Sequence, residues 1–335
     1  MASSSKEAVV GIDIGGTNTK IAFVDRSGRK YAHRSFSTHA REPLPVFLKH
    51  LREQVEEMKQ LMIDEGLNVR AVGVGAPQAN QLDGTLEHPP NIDWGINVPL
   101  QREIEDLLGL PTVIANDANA AAVGEMHFGS ARGLKNFIVV TLGTGLGSGI
   151  VVNGKLLLGQ NGIAGEMGHM LAKEGGRKCG CGNFGCLETY ASATGIKRTI
   201  FKFMADMNEL STFRALSYND LTANQISDAA LRGDAIAQQA FAYTGKFLGA
   251  NLADVIALFD PEAVILSGGL SKAGDLLLKP TLMELDKHLF PAFRGKTSVF
   301  ITKMSDANAA VLGAAGMAFE LLAEREKEGT ENRVS

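Results

Sequence analysis

Two glycine- and threonine-rich segments of this chain have the composition of phosphate-binding turns. The first is GIDIGGTNTK at Gly11–Lys20 and the second is TLGTGLGSGI at Thr141–Ile150, and each turn is set between two apolar strands. Glycine lets the backbone approach a ligand closely, so that successive N–H groups and threonine hydroxyls can hold phosphate oxygens. One such turn is as readily an ordinary hairpin. Two of them favour a nucleotide whose phosphates are held from both sides, and therefore phosphoryl transfer.

Two aspartates stand where phosphoryl transfer needs carboxylates. Asp13 ends the first strand beside the first turn, with Lys20 in the next strand, and could bind Mg²⁺ directly or through water. Asp117 follows the apolar run 112–115 and could take the proton of a hydroxyl that attacks the γ-phosphate. Asn116 or Asp117 could instead cap the alanine-rich helix that follows. The context of two phosphate turns favours catalysis for Asp117.

The three cysteines of the chain, Cys179, Cys181 and Cys186, lie close together in the sequence. With His169 they supply three thiolates and one imidazole, which is a recognised tetrahedral set for zinc. Four protein ligands leave no open position for a reacting water, so we expect a structural zinc ion that organises the loop. A cluster of reduced thiols is the alternative.

The loop that carries the cysteines also carries groups that suit a polyol. Glu166 and Glu188 can accept hydrogen bonds from neighbouring hydroxyls, and an imidazole can donate or accept. If His169 gives one ring nitrogen to zinc, the other can contact a sugar hydroxyl, which would couple folding of the loop to substrate binding. A solvated loop with unrelated acidic residues is the alternative.

Length and composition exclude several classes of protein. A chain of 335 residues is expected to form two domains of about 150 residues each, with a cleft between them. The formal net charge of -4 lacks the basic footprint of a nucleic-acid binder. The opening residues do not form a signal peptide, and no apolar run reaches the roughly 20 residues of a membrane helix. We therefore expect a cytoplasmic protein with no membrane and no nucleic-acid partner.

Hydrophobic periodicity places the candidate residues at the ends of strands, where α/β proteins bind ligands. Strands are expected at 9–14, 20–25, 29–37, 71–76, 112–115, 136–141, 149–152 and 263–267. Helices are expected at 45–65, 118–126, 192–208, 222–231, 234–258 and 307–326, with a disordered tail after the last one. Gly268 and Gly269 follow a strand and could lie against a nucleoside, although such a turn more often only joins a strand to a helix. The recurring glycine-turn meander indicates an internal duplication.

Together these pieces resemble the ROK family of sugar kinases and repressors, within the sugar kinase and actin-like ATPase group. The resemblance runs from Gly11 to about Gly316, and its most specific element is the string EMGHMLAKEGGRKCGCGNFGCLE from Glu166 to Glu188. It implies an α/β, two-domain actin-like ATPase or ribonuclease H-like sugar kinase fold with an interdomain cleft that closes on sugar. We expect a small N-terminal α/β domain at 1–117 and a larger domain at 118–306 with the zinc loop 166–188. The helix 307–326 is expected to pack back onto the first domain.

The resemblance also implies roles for individual residues. Asp117 is expected to be the catalytic base, and ATP with Mg²⁺ the phosphoryl donor. The expected hexose contacts are Asn91, Asn116, Asp117, Glu166, His169 and Glu188. The expected nucleotide contacts are Asp13, Gly15, Gly16, Thr17, Lys20, Thr144, Gly145, Gly268 and Gly269. The family further implies a homodimer or homotetramer.

Alternatives remain for the substrate and for the class of function. Family glucokinases commonly have Gly-x-Pro-Gly where this chain has Gly75-Ala76-Pro77-Gln78. Glucose is the first expectation, and N-acetylmannosamine or N-acetylglucosamine follow. The family's repressors keep the sugar and zinc residues but add a helix-turn-helix domain, for which the few residues before the first strand leave no room. A sugar-binding protein without catalysis is disfavoured because both aspartates are present.

Overall fold

Strands and helices alternate along the chain in the computed structural model, which describes residues 6–89 and 91–334. The strands are β1 (Lys6–Ile14), β2 (Asn18–Asp25), β3 (Lys30–Ser37), β4 (Leu67–Gly75), β5 (Ala79–Asn80), β6 (Thr85–Leu86), β7 (Thr112–Ala115), β8 (Phe137–Leu142), β9 (Leu146–Val152), β10 (Lys155–Leu156), β11 (Ala263–Ser267) and β12 (Ser298–Ile301). The helices are α1 (Leu44–Asp64), α2 (Leu100–Leu108), α3 (Asp117–Phe128), α4 (Ala193–Asp206), α5 (Ala223–Leu231), α6 (Ala235–Phe259), α7 (Asp275–His288) and α8 (Asp306–Val334). Among the described helices, none combines the length and apolar character that a bilayer crossing requires.

The chain divides into two units. Unit 1 takes in the chain up to Gly133, the short segment Leu158–Ala164 and the chain from Ala307 onward, and unit 2 takes in Leu134–Leu157 and Gly165–Asp306. This division differs from the expected boundary after residue 117, because α3 begins at residue 117 and stays with unit 1 to its end. It also assigns the C-terminal helix α8 to unit 1.

Each unit contains one five-stranded sheet, and the two sheets have the same topology. The strand order is β3-β2-β1-β4-β7 in unit 1 and β10-β9-β8-β11-β12 in unit 2. In both sheets the first three strands of that order pair antiparallel and the last pairings are parallel. The repeated order is the pattern that an internal duplication would produce, as the sequence suggested.

Several elements escaped the sequence analysis or differ from it. The helices α2 and α7 and the strand β12 were not expected, and α7 contains Pro280 in its interior, which interrupts the pattern by which a helix is recognised. The expected disordered tail is wrong, since α8 continues to Val334. Its last turns are rich in glutamate, lysine and arginine, which are good helix formers.

Helix α8 lies directly on the strands β1 and β4 of unit 1. Gly11 of β1 and Gly73 of β4 are partners in the parallel register. A Cβ at Gly73 would overlap the carbonyl oxygen of Ala314, and a Cβ at Gly11 would overlap that of Val311. The two glycines therefore let the helix backbone pack directly on the strand backbones. This contact lies two residues before Asp13 on β1 and two residues before its register partner Gly75 on β4.

This contact predicts a large effect of one methyl group. The change Gly73→Ala should lower the free energy of unfolding by about 1–3 kcal/mol or more, because helix α8 has to move away from the sheet. The measurement is urea unfolding followed by circular dichroism. Gly329→Ala on the same helix is the control, since a Cβ there meets nothing within 4 Å, and it should leave stability unchanged or raise it by up to about 1 kcal/mol. Equal stability of the Gly73→Ala variant and the original chain would contradict the described contact.

Candidate active site

The first glycine turn joins β1 to β2 and is braced from outside by Thr38. The N–H of Gly15 donates to the carbonyl of Asn18 at 3.1 Å, and the N–H of Thr38 donates to the carbonyl of Thr17 at 2.9 Å. The hydroxyl of Thr38 also donates to the carbonyl of Gly15 at 2.7 Å. Gly16 and Thr17 themselves are exposed, so the tip of the turn is open to a ligand. Sequence analysis missed Thr38, because no motif marks a residue that supports a turn from a distant loop.

Asp13 and Lys20 face each other across the β1–β2 ladder. They are register partners, and the Lys20 ammonium lies 3.6 Å from Oδ2 of Asp13. Burial raises the pKa of Asp13, while Lys20 lowers it and the negative charge of Asp117 raises it. The two aspartates are thus close enough to repel each other electrostatically. A divalent cation beside them would relieve that repulsion, because hard cations prefer carboxylate oxygens.

The structure shows which of Asn116 and Asp117 caps helix α3, a choice that the sequence left open. The side-chain oxygen of Asn116 accepts from the N–H of Asn119 at 2.7 Å and so caps helix α3. Asp117 is the first residue of that helix, and its Oδ1 accepts from the N–H of Ala118 at 2.9 Å. Since the oxygen of Asn116 is engaged in the cap, its amide nitrogen is the group that could donate to a substrate hydroxyl.

Asp117 is an exposed residue, but enough protein surrounds its carboxyl group to desolvate it. Desolvation by the surrounding protein raises its pKa, and the hydrogen bond from the Ala118 N–H only partly opposes this. A carboxylate in this setting holds a proton more readily than an ordinary aspartate, which suits a general base. Perturbed acids of this kind are candidates for functional sites.

Three parallel strands of unit 1 bring these residues to one edge of the sheet. Asp13 of β1 pairs with Gly75 of β4, and Gly75 pairs with Ala115 of β7. Asn91 lies against the first turn, since a Cβ built on Gly16 would be only 2.9 Å from the Cβ of Asn91. Unit 1 therefore gathers the expected magnesium ligand, the first phosphate turn, the expected base and one expected sugar contact.

The second glycine turn, in unit 2, joins β8 to β9. The N–H of Gly143 donates to the carbonyl of Gly145 at 3.0 Å, and the N–H of Ala193 at the start of α4 donates to the carbonyl of Gly143 at 2.9 Å. Thr144 at the tip is exposed. Gly268 packs on the backbone of Leu142 with a φ of 87°, so glycine is required there for packing. Gly269 is exposed and faces open space, which leaves it as the better candidate for a ligand contact.

Glu188 links the second turn to the cysteine cluster. Its Oε2 accepts from the N–H of Leu146 at 3.0 Å. A Cβ on Gly145 would overlap this carboxylate, so the missing side chain at Gly145 makes room for Glu188. The other oxygen, Oε1, lies 3.7 Å from the sulfur of Cys179. The second turn therefore packs directly against Glu188, one of the expected sugar ligands.

Four side chains of unit 2 form a set that could hold a metal ion. The ligand atoms of His169, Cys179, Cys181 and Cys186 all lie within 4.8 Å of one another. The sulfurs of Cys181 and Cys186 are 3.7 Å apart, and the sulfur of Cys179 is 3.7 Å from Nδ1 of His169. A tetrahedral zinc ion with bonds of about 2.3 Å would place two sulfurs about 3.8 Å apart. The donor set therefore fits a tetrahedral ion in both chemistry and spacing.

The thiols of this set differ in their acidity. Burial raises the pKa of Cys179 to about 12. Cys181 is exposed, and its pKa is lowered, chiefly by a hydrogen bond from the N–H of Asn183. A metal ion would have to displace the proton of Cys179 on binding, as thiolate ligands require.

The two ring nitrogens of His169 face different groups. Nδ1 is directed to the cysteines, and Nε2 lies 3.8 Å from Oε2 of Glu166. Glu166 and His169 are both exposed. Nδ1 is therefore the nitrogen on the side of the metal set, and Nε2 lies near Glu166, another expected sugar ligand.

Arg177 anchors this loop to its own unit without any metal. Its guanidinium donates to the carbonyls of Thr189 at 2.6 Å and Gly195 at 3.0 Å, and to the hydroxyl of Thr199 at 2.9 Å. It also stacks 4.7 Å from the ring centre of Tyr190. Sequence analysis missed Arg177, because a single arginine in a glycine-rich loop resembles any solvated charge.

Comparison with known proteins decides the family. A family model described as ROK family matches residues 9–320. This chain belongs to the ROK family. The resemblance seen in the sequence is thereby confirmed over most of the chain.

The relatives of this ROK protein include sugar kinases. It is 37% identical over 287 residues to a glucokinase from Halalkalibacterium halodurans, with 84% of this chain and 86% of that protein covered. It is similar to the crystal structure of a ROK family glucokinase from Streptomyces griseus in complex with glucose and AMPPNP, with a TM-score of 0.77, 35% identity and 93% and 99% of the two chains covered. The expected sugar kinase fold of the actin-like ATPase group is confirmed by this similarity.

Regulators share the same fold. A ROK family transcriptional regulator, a homologue of the E. coli MLC protein, matches with a TM-score of 0.83 and 27% identity, covering 93% of this chain and 77% of the regulator. Because one fold carries both kinds of protein, function has to be argued from the site residues.

Proposed function

We propose that this ROK protein is an ATP-dependent hexokinase that prefers glucose, with Asp117 as the base. The observation that carries the proposal is the environment of Asp117. This residue is exposed, its pKa is raised by desolvation, and it lies two residues beyond the end of β7, where Ala115 is in line with Asp13. A surface aspartate that only capped a helix would not need this setting.

The relatives support the choice of substrates. The Halalkalibacterium halodurans relative is a glucokinase, and the Streptomyces griseus structure contains both glucose and AMPPNP. AMPPNP is an ATP analogue, so that neighbour binds a hexose and a nucleoside triphosphate together. We carry both substrate classes over to this chain.

In the proposed reaction Asp117 accepts the proton of the sugar's 6-hydroxyl. That oxygen forms its bond to the γ-phosphorus while the bond from the γ-phosphorus to the bridging oxygen of ADP breaks. Mg²⁺, when bound near Asp13, would neutralise charge on the phosphates. The exposed tips of the turns, at Gly16, Thr17 and Thr144, present N–H groups and hydroxyls to phosphate oxygens. Because the transition state is loose, positioning and charge neutralisation matter more than the strength of the base.

Hydrogen-bonding side chains carry the proposed recognition of the hexose. Glu166 and Glu188 accept from sugar hydroxyls, and Nε2 of His169 and the amide nitrogen of Asn116 make further hydrogen bonds. Asn91, packed on the first turn, is a further contact. The Cys₃His set would hold a zinc ion, and His169 as one of its ligands would then keep a fixed rotamer and help to keep the loop in position.

A sugar-sensing regulator is the second candidate function. The similarity to the ROK transcriptional regulator favours it, and such a protein would bind sugar without turnover. Phosphoryl transfer from ATP is therefore the property that separates the two candidates.

Replacement of the base should abolish turnover while sugar binding persists. Asp117→Asn should lower kcat by about 100- to 10,000-fold, which is the usual contribution of a general base. Glucose binding, followed by the fluorescence of Trp94, the one tryptophan of the sequence, should change little. In the unaltered enzyme the carboxylate is the active form, so kcat should fall as the pH drops through a pKa above 3.8. The control is Asp106→Asn on α2, an exposed aspartate. An unchanged kcat in Asp117→Asn would remove this residue from the mechanism.

Loss of one thiol should release zinc. Metal analysis of the purified chain should find about one zinc per molecule, and Cys181→Ala should lose it because three ligands bind far more weakly than four. The KM for glucose should rise, since His169 loses its anchor. Asn183→Ala, an exposed neighbour in the same loop, should keep both zinc and KM. Full zinc occupancy in Cys181→Ala would refute the four-ligand assignment.

A panel of sugars should rank glucose first. ADP release would be measured with glucose, mannose, fructose, N-acetylglucosamine and N-acetylmannosamine at several concentrations each. We expect the highest kcat/KM for glucose. A preference for an N-acetylated sugar would correct the substrate, and no ADP release with any of them would favour the regulator.

A further inference from the structure

Gln78 has an unfavourable backbone conformation at an exposed position. Its φ is 53°, in the left-handed region, which is unfavourable for a residue with a Cβ because the Cβ comes too close to the following carbonyl oxygen. The described non-glycine residues with positive φ are His39, Gln78, Asn97, Asn153 and Asp260. Asparagine and aspartate tolerate this region because their short side chains bond locally, whereas glutamine has no such advantage. No burial offsets the cost, because Gln78 is exposed.

The backbone around Gln78 is held in this conformation from two sides. The N–H of Ala79 donates to the carbonyl of Ala76 at 3.3 Å, which closes a turn with Pro77 and Gln78 at its centre. Proline followed by a residue with positive φ is the pattern of a type II turn, whose third position favours glycine. On the other side, the carbonyl of Gln78 accepts from the N–H of Glu87 at 3.1 Å. Relaxation of φ would break one of these bonds.

The turn lies beside the proposed catalytic residues. Strand β4 ends at Gly75, which pairs with Ala115, and the N–H of Ala76 continues the ladder to the carbonyl of Ala115 at 3.0 Å. Asn116 and Asp117 follow Ala115 directly. The exposed amide of Gln78 is thus carried by the chain segment next to the base, at the edge where ligands of α/β proteins bind.

We propose that Gln78 is a specificity-determining residue of the sugar site, and this rests on the proposed hexokinase function. Its amide can donate to one hydroxyl and accept from another, so it selects a neutral hexose with a free hydroxyl at the position that it faces. Strain that is retained at an exposed position without compensating packing is a reason to look for function. Glycine would fit the turn better but would offer no hydrogen bond.

The test pairs variants of the protein with deoxy sugars. The kcat/KM of the unaltered enzyme is measured for glucose and for 1-, 2-, 3- and 4-deoxyglucose. Gln78→Gly and Gln78→Ala should lower kcat/KM for glucose by about 3- to 10-fold, the effect of one hydrogen bond. For the deoxy sugar that lacks the hydroxyl facing Gln78, kcat/KM should be the same in these variants as in the unaltered enzyme. Gln78→Asn should retain part of the discrimination, since it keeps an amide and tolerates the turn.

Asn97→Gly is the matched control, because Asn97 is also exposed, also has a φ of 53° and also carries an amide. It should leave the ratios among the sugars unchanged. Gln78→Gly should unfold at the same urea concentration as the unaltered chain or a higher one, and Gln78→Ala at a lower one than Gln78→Gly. Suppose that the unaltered enzyme phosphorylates glucose and that the ratios of kcat/KM among the sugars are the same in Gln78→Gly as in the unaltered enzyme. The inference about Gln78 is then wrong and the proposed function stands. If the unaltered enzyme phosphorylates no sugar, the proposed function itself has failed.

Discussion

The register of three parallel strands is the constraint on which unit 1 depends. Asp13, Gly75 and Ala115 are partners in a row across β1, β4 and β7. Alternation along β1 puts Asp13 on the same face as Gly11, opposite the buried Ile12 and Ile14. A shift of one residue would turn Asp13 into the opposite layer. The buried isoleucines and the glycine contact with α8 therefore position the carboxylate as well as stabilise the sheet.

Unit 2 holds its candidate residues by a different means, since they lie in a loop with little regular structure. Arg177 ties one part of the loop to α4 through Gly195 and Thr199. The Cys₃His set gathers the remainder, and Glu188 connects that set to the second glycine turn. With a metal ion bound to that set, as we propose, the loop would keep its position at α4 through Arg177 while its tip depended on the ion. The position of His169 would then be more sensitive to the metal than the fold of the unit is.

The sequence was informative about residue types and less so about what each residue contacts. The glycine turns, the Cys₃His set and most of the longer strands could be predicted because their composition and spacing follow from backbone geometry and ligand chemistry. The short strands β5, β6, β10 and β12 were not predicted. Which of Asn116 and Asp117 caps helix α3 could not be predicted, since either side chain can cap a helix. A glycine in the sequence shows that no Cβ is present, but it does not show which neighbour occupies that space. The neighbour of Gly145 is Glu188, and that of Gly268 is the backbone of Leu142. Helix α7 was missed because Pro280 stands inside it.

Two unfavourable features of unit 1 lie at the same edge of its sheet. Asp117 is a carboxyl group that the protein desolvates, and Gln78 is a glutamine in a turn that favours glycine. Away from this edge the same sheet follows ordinary rules, with apolar residues buried on β1, β2 and β4. Sequences that fold well tend to break local rules where a ligand rather than the fold determines the residue. The desolvated carboxyl group and the left-handed turn are linked by the ladder between β4 and β7, so the substrate that we propose to bind at the ends of these strands would explain both.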